Sequence, residues 1–205
     1  MSLNFQIKII KIDPANLDLE KIKKGASYLK EGKLVVFPTE TVYGIGVNLE
    51  DKESVKRLFK IKRRPSHKPL IVHLSDKERA KELVSDLSPL ALRLMDRFWP
   101  GPLTLILPCI RGKTVALRMP DNPIALSLIR ESGSLIGAPS ANLSNRPPAT
   151  DISKVINGIG PYVDLIIDGG PSKLKMPSTI IDLTTPSPKL IREGSISFSE
   201  ILNCQ

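Results

Sequence analysis

The sequence predicts an α/β fold: a single domain, residues 1–205, built on a twisted, mixed β-sheet flanked by helices. Three observations predict it. Short apolar runs of strand length interleave with segments of helical period along the whole chain. Neither an internal repeat nor a low-complexity linker interrupts that alternation. The 205 residues, 41% hydrophobic and 25% charged, suffice for one substantial core.

The elements follow in order. Ile7–Ile12 alternates apolar and basic residues and reads as an edge strand. Leu17–Lys30 has apolar residues at 19, 22, 26 and 29, a helical period, with Gly32 as its stop. Lys33–Phe37 is a short buried strand ended by Pro38. Asp51 caps a helix to about Ile61, with Val55, Leu58 and Phe59 inward. Arg63–Lys68 is a basic turn, and Leu70–Leu74 a strand. Ser75 and Glu78 have capping-box spacing for a helix to about Val84. Ser88-Pro89 starts another helix, which runs to Phe98 and is broken by Trp-Pro-Gly-Pro at 99–102. Leu103–Leu107 and Thr114–Arg118 read as two strands joined by a turn. Asn122–Ser132 is a helix, Ser134–Gly137 a strand running into a Pro- and Ser-rich loop, and Asp151–Ile156 a short helix. Asp164–Asp168, Thr179–Leu183 and Lys189–Arg192 complete the strands.

Several classes are excluded. The longest apolar runs, such as 34–37 and 103–107, are too short to span a bilayer. The N-terminus lacks the apolar stretch and cleavage site of a secretory signal. Cys109 and Cys204 form no disulfide framework and have no metal-ligand spacing, and His67 and His73 are not at i, i+4. The expectation is a cytoplasmic protein with no membrane partner and no metal held by its own side chains.

Charge is concentrated. Residues 52–68 hold eight bases and one acid, which is +7 of the net +9. Such a patch suits a polyanion, either nucleotide phosphates or RNA, although a solvated helix face has the same pattern. Phe59 is the lone aromatic inside it, so base stacking has little support.

No phosphate-binding P-loop, dinucleotide fingerprint or nucleophile elbow occurs. Polar clusters instead follow strand ends, where α/β proteins build sites. Pro38-Thr39-Glu40-Thr41-Val42-Tyr43-Gly44 offers hydroxyls, an acid and a close backbone approach at Gly44, or equally a Thr-rich turn. Lys62, Arg63, Arg64 and Lys68 suit phosphate oxygens. His73 ends an apolar strand, and Arg118 sits in another, where burial demands an anionic partner. Ala138-Pro139-Ser140, Pro177-Ser178-Thr179 and Ile191-Arg192-Glu193 are individually ordinary turns. Together these clusters can form a cleft that orients two substrates, one a nucleotide, which react with each other.

The blocks FPTETVYGIG (37–46), KRRPSHKPLIVH (62–73), FWPGPLTLIL (98–107), VALRMP (115–120), GAPSANLS (137–144), STIIDL (178–183) and IREGSI (191–196) resemble the YrdC-like family, the threonylcarbamoyl-AMP synthases. The resemblance implies a large basic cavity. It also implies a reaction in which L-threonine and bicarbonate or CO2 give N-carboxythreonine, which attacks the α-phosphorus of ATP to give threonylcarbamoyl-AMP and pyrophosphate. Mg2+ would ride on the ATP phosphates. A tRNA-modifying threonylcarbamoyl transferase would consume the product. Carried over by position, Thr41, His73, Arg118, Ala138 and Ser178 would bind L-threonine. Arg64, Lys68, Thr114, Ser140, Pro148 and Arg192 would bind ATP, with Lys62 and Tyr43 as further candidates. No residue is assigned a catalytic role beyond positioning the substrates.

Two departures stand out. Lys68 replaces the family's usual Asn, and Ser144-Asn145-Arg146-Pro147 replaces Ser-Gly-x-Pro. The chain's end at Gln205 reads as the short form, without the extra C-terminal domain of longer relatives. The alternatives are a YciO-like paralogue without synthase activity and a double-stranded RNA-binding module using 52–68.

Overall fold

The computed structural model describes residues 7–65 and 68–204. In chain order the elements are β1 (Ile9–Lys11), α1 (Leu19–Lys30), β2 (Val35–Phe37), β3 (Gly44–Asn48), α2 (Lys52–Lys62), β4 (Ile71–His73), α3 (Pro89–Phe98), β5 (Leu103–Pro108), β6 (Thr114–Arg118), α4 (Pro123–Ser132), β7 (Ile136–Gly137), α5 (Ile152–Asn157), β8 (Leu165–Asp168), β9 (Thr179–Asp182), β10 (Lys189–Arg192) and α6 (Phe198–Leu202). Among the described residues, ten strands form one mixed sheet in the order β1-β8-β2-β3-β7-β4-β6-β5-β9-β10.

Side-chain alternation along each strand explains the layers. In the β8–β2 half, Val35, Phe37, Leu165 and Ile167 pack with α1 and α4 on one face. Leu34, Val36 and Ile166 pack with α2 and α5 on the other. In the β4–β9 half, Val72, Leu103, Leu105, Leu107, Leu117 and Ile181 pack with α3 and α6. The intervening residues Ile71, His73, Ile106, Ala116, Arg118 and Ile180 line a cavity on the opposite face.

Local capping places most helices as expected. Asp51, Ser88, Asn122 and Asp151 each accept backbone N–H groups at the expected N-termini. Four expectations need correction. The helix after β4 is a 3₁₀ turn over Lys77–Glu82, capped by Asp76 rather than Ser75. Leu19 is exposed, so the buried stripe of α1 begins at Ile22. Gly44, the end of the expected ligand loop, opens a fully buried strand over Gly44–Asn48, antiparallel to β2, that the sequence pattern does not predict. α6 was not anticipated, although Ser197 and Glu200 form a complete capping box before it.

Candidate functional site

The uncovered sheet face floors a cavity of about 500 Å3. Its cations are Arg64, Lys68, Arg118 and Arg192, and no acidic side chain lines it among the described residues. Its walls come from loops that the sequence marks with Pro and Gly: Thr39 to Gly44, Lys68-Pro69, Ala138 to Ser140, and Pro177-Ser178.

Arg118 is the deepest cation, 4% exposed, on the last residue of β6. Its Nε donates to Gly101 O at 3.3 Å. Its Nη2 donates to Glu40 Oε1 at 2.7 Å and to Thr41 Oγ1 at 2.8 Å. The turn that presents this carbonyl has no room for a side chain at Gly101, where a Cβ would collide with Phe98 O. Thr39 donates to Val42 O at 2.6 Å, so in the 2.9 Å contact between the two hydroxyls Thr41 must be the donor. A directed chain therefore runs from Arg118 through Thr41 and Thr39 to the backbone.

His73 pairs in parallel register with Arg118 across β4 and β6. Burial first, and then the Arg118 charge, push its pKa down to about 3. The ring is neutral at physiological pH. With Nδ1–H donating to Ile71 O at 3.2 Å, Nε2 is left as an acceptor.

At the opposite wall, Ser178 Oγ meets Thr104 Oγ1 at 2.8 Å and accepts from Arg192 Nη2 at 3.1 Å. Arg192 also donates through Nε and Nη2 to Ser178 O at 3.0 and 2.8 Å. Its pKa is lowered by burial of the guanidinium and then by the charges of Arg118 and Arg64. These three guanidinium groups repel one another through the cavity, which favours an anion between them. The loop after β10 is held by Thr179, whose hydroxyl donates to Ile196 O and accepts from Gly194 N. A side chain at Gly194 would collide with the backbone of Pro177 to Thr179.

Arg64 donates to Lys68 O and Pro69 O at 3.3 and 2.7 Å, and burial lowers its pKa. Lys68 is exposed at the rim. Ser140 lines the cavity, and its hydroxyl donates to Asn142 Oδ1 at 2.5 Å. Ala138 lines it too, but its N–H is already bonded to Ile71 O, which leaves its carbonyl.

Four expected site residues lie outside the lining. Thr41 is fully buried behind Arg118. Thr114 is exposed at the start of β6, two residues beyond Ala116 on the same sheet face. Pro148 is half-buried in the loop before Ala149. Lys62 is 2% exposed and donates to Ser140 O and Asn142 O, both at 2.5 Å. Its pKa is pushed down to about 7, by burial and then by Arg64. Lys62 therefore ties down the Ser140 loop through two backbone carbonyls. Its burial was legible as helical spacing: Ser54, Leu58 and Lys62 are the buried residues of α2.

Tyr43 lines the cavity, but its phenol turns away to donate to Gly170 O at 2.7 Å, and burial raises its pKa. Its backbone N–H and carbonyl bond to Ala149 and Ala141, pinning the loop between them. Within that loop Asn145 has φ 66, so it occupies the left-handed conformation for which glycine is best suited. The basic segment 52–68 thus has several destinations. Lys62 is buried, Arg57 forms a two-bond ion pair with Asp164, Arg64 and Lys68 reach the cavity, and Lys52, Lys60 and Arg63 face solvent. His67 lies outside the described residues.

Two further residues, which no local sequence pattern marks, bear on Arg118. Glu40, in the Thr-rich loop, and Gly101, in the break after α3, both hold Arg118.

The Sua5–YciO–YrdC family model, which carries the description "Telomere recombination", matches residues 27–194. A threonylcarbamoyl-AMP synthase of Bacillus subtilis is 44% identical over 191 residues, covering 88% of this chain and 55% of that protein. The crystal structure of Pyrococcus abyssi Sua5 complexed with L-threonine is similar with a TM-score of 0.92 and 42% identity, over 96% of this chain and 60% of that one. Escherichia coli YciO is similar with a TM-score of 0.82 and 28% identity, over 94% and 97% of the two chains. The chain thus spans little more than half the length of the Bacillus relative. Among the described residues, no helix is long and apolar enough to cross a membrane.

Proposed function

The chain belongs to the Sua5–YciO–YrdC family, and from that premise we propose that it is a threonylcarbamoyl-AMP synthase acting on L-threonine, bicarbonate or CO2, and ATP. The observation that carries this reading is Arg118. It is a buried guanidinium at a cavity wall, with Nε and Nη2 bonded to protein and Nη1 free of protein partners among the described residues. That is a seat for a small carboxylate, and a ring of further cations lies within the same 500 Å3 cavity.

In this reading Arg118 takes the threonine carboxylate, with neutral His73 and the Ser178 hydroxyl beside it. Arg64, Lys68 and Arg192 take phosphate oxygens, and ATP brings its own Mg2+. A nucleotide extending along the sheet from Ala116 would reach Thr114. The amine of threonine and bicarbonate give a carbamate and water. A carbamate oxygen then attacks the α-phosphorus, and the bond to the pyrophosphate leaving group breaks. The protein's part is to hold two anions end to end against their repulsion, so orientation and charge neutralisation carry the rate. The product is a mixed anhydride that a tRNA-modifying transferase would consume, which agrees with a cytoplasmic location.

The test is pyrophosphate release from ATP with and without L-threonine and bicarbonate, with mass spectrometry of the adenylate. Release that requires both additions and yields threonylcarbamoyl-AMP supports the synthase. Release independent of threonine overturns it. A second reading, duplex RNA held by charge, draws on the solvent-facing Lys52, Lys60 and Arg63. RNA affinity that collapses between low and moderate salt, with no synthase activity, would favour it.

A further inference from the structure

We propose that Glu40 is a positioning residue for the substrate carboxylate, acting through Arg118. This rests on the reading of Arg118 given above. Glu40 and Arg118 are each 4% exposed and meet at 2.7 Å, a pair largely removed from water. Their attraction is strong there, and an ill-placed partner is costly.

The geometry divides the guanidinium. Both Nη2 hydrogens are taken, one by Glu40 and one by Thr41, and the Nε hydrogen goes to Gly101. A ligand carboxylate therefore cannot form a two-pronged bond along the Nη1–Nη2 edge. It is met by Nη1, at a position set by Glu40 on the far side of the same group.

Stability alone does not account for Glu40. Its second oxygen, Oε2, is buried with no partner, which costs free energy. Replacing a buried ion pair by apolar side chains is often neutral or stabilising. What the carboxylate adds is direction. Among the described residues it is the acid hydrogen-bonded to a cation of the cavity. It also stands outside that cavity's lining, bordering instead a separate space of about 300 Å3 beside Asp121 and Lys173. Glu40 thus offsets the charge of Arg118 from behind without presenting an acid to an incoming anion.

The experiment is calorimetric titration of L-threonine and of ATP into the wild-type chain and the variants Glu40→Ala, Glu40→Gln and Glu40→Asp, with KM and kcat for threonine. Glu40→Ala is expected to weaken threonine about ten-fold or more in both Kd and KM, with ATP affinity within about two-fold and kcat at saturating threonine within about three-fold. Glu40→Gln keeps an acceptor opposite Nη2 and should recover threonine affinity to within about three-fold of wild type. Glu40→Asp keeps the charge but withdraws it by one methylene, and should weaken threonine while sparing ATP. Wild-type threonine affinity in folded Glu40→Ala overturns the proposal, as does an equal loss of threonine and ATP affinity. So does a Gln variant as impaired as Ala. If Ala fails to fold, Asp decides: unchanged threonine affinity there overturns the proposal. Absence of threonine binding by the wild-type chain overturns the reading of Arg118 itself, and this inference with it.

Discussion

The two halves of the sheet are built from the same kind of strand and end in different roles. Around β8 and β2 both faces are covered, by α1 and α4 on one side and by α2 and α5 on the other. Around β6, β5 and β9 one face packs on α3 and α6, while the other carries the cavity. On β6 the division is visible residue by residue: Val115 and Leu117 face the core, Ala116 and Arg118 face the cavity. The cavity lies where, in place of a packed helical layer, the strand face carries polar and charged side chains.

Substitutions on neighbouring strands should separate the two faces. The largest effect is expected for Arg118→Ala. Threonine binding should vanish in calorimetry while most ATP affinity is kept. Leaving Glu40 buried without its cation should also cost about 3–5 kcal/mol of stability, read by denaturant unfolding. Leu105→Ala, on the core-facing side of β5 and fully buried, should cost a comparable 2–5 kcal/mol, about the range for large-to-small core changes. Its folded fraction, however, should bind threonine and ATP as wild type does. If Leu105→Ala altered ligand affinity as much as stability, the two faces would not be separable.

Arg64→Ala should weaken ATP by about 1.5–3 kcal/mol, the worth of a charge-assisted bond, and leave threonine affinity intact. The remaining effect is on stability against pH and concerns His73. Its folded pKa, about 3, lies below its ordinary 6.5, so below pH 6.5 the unfolded chain binds the proton first. His73 therefore contributes stability that is fully present above pH 6.5 and is lost as pH falls toward 3. The expected slope is at most about 1.4 kcal/mol per pH unit. In His73→Gln the acid side of the stability profile should be flatter by that amount; an unchanged profile would contradict the burial-driven shift.

What could be read in advance depended on range. Helix starts at Asp51, Ser88, Asn122 and Asp151 are interactions over two or three residues, and the residue types alone announce them. β3 was overlooked because Gly44 and Gly46 interrupt its apolar run and weaken strand propensity. Its pairing partners, β2 and β7, supply the stability that local preference lacks. Most residues that line the cavity belong to the sequence blocks, whereas the hydrogen bonds among them do not follow from those blocks. Thr41 and Lys62, expected beside ligand, are bonded in this structure to Arg118 and to the Ser140 loop.

The α/β alternation, the capped helix starts, the basic bias near α2 and the need of Arg118 for an anion are all legible in the residues alone. Those follow from side-chain period, local hydrogen bonding and charge, which act over a few residues. Tertiary structure alone decided that the anion is Glu40, 78 residues away in the chain, and that Lys62 turns inward. It also decided that one face of β4, β6, β5 and β9 stays open. Such pairings depend on which strands become neighbours, and the sheet order β4-β6-β5-β9 is set by packing of the whole chain rather than by any segment of it.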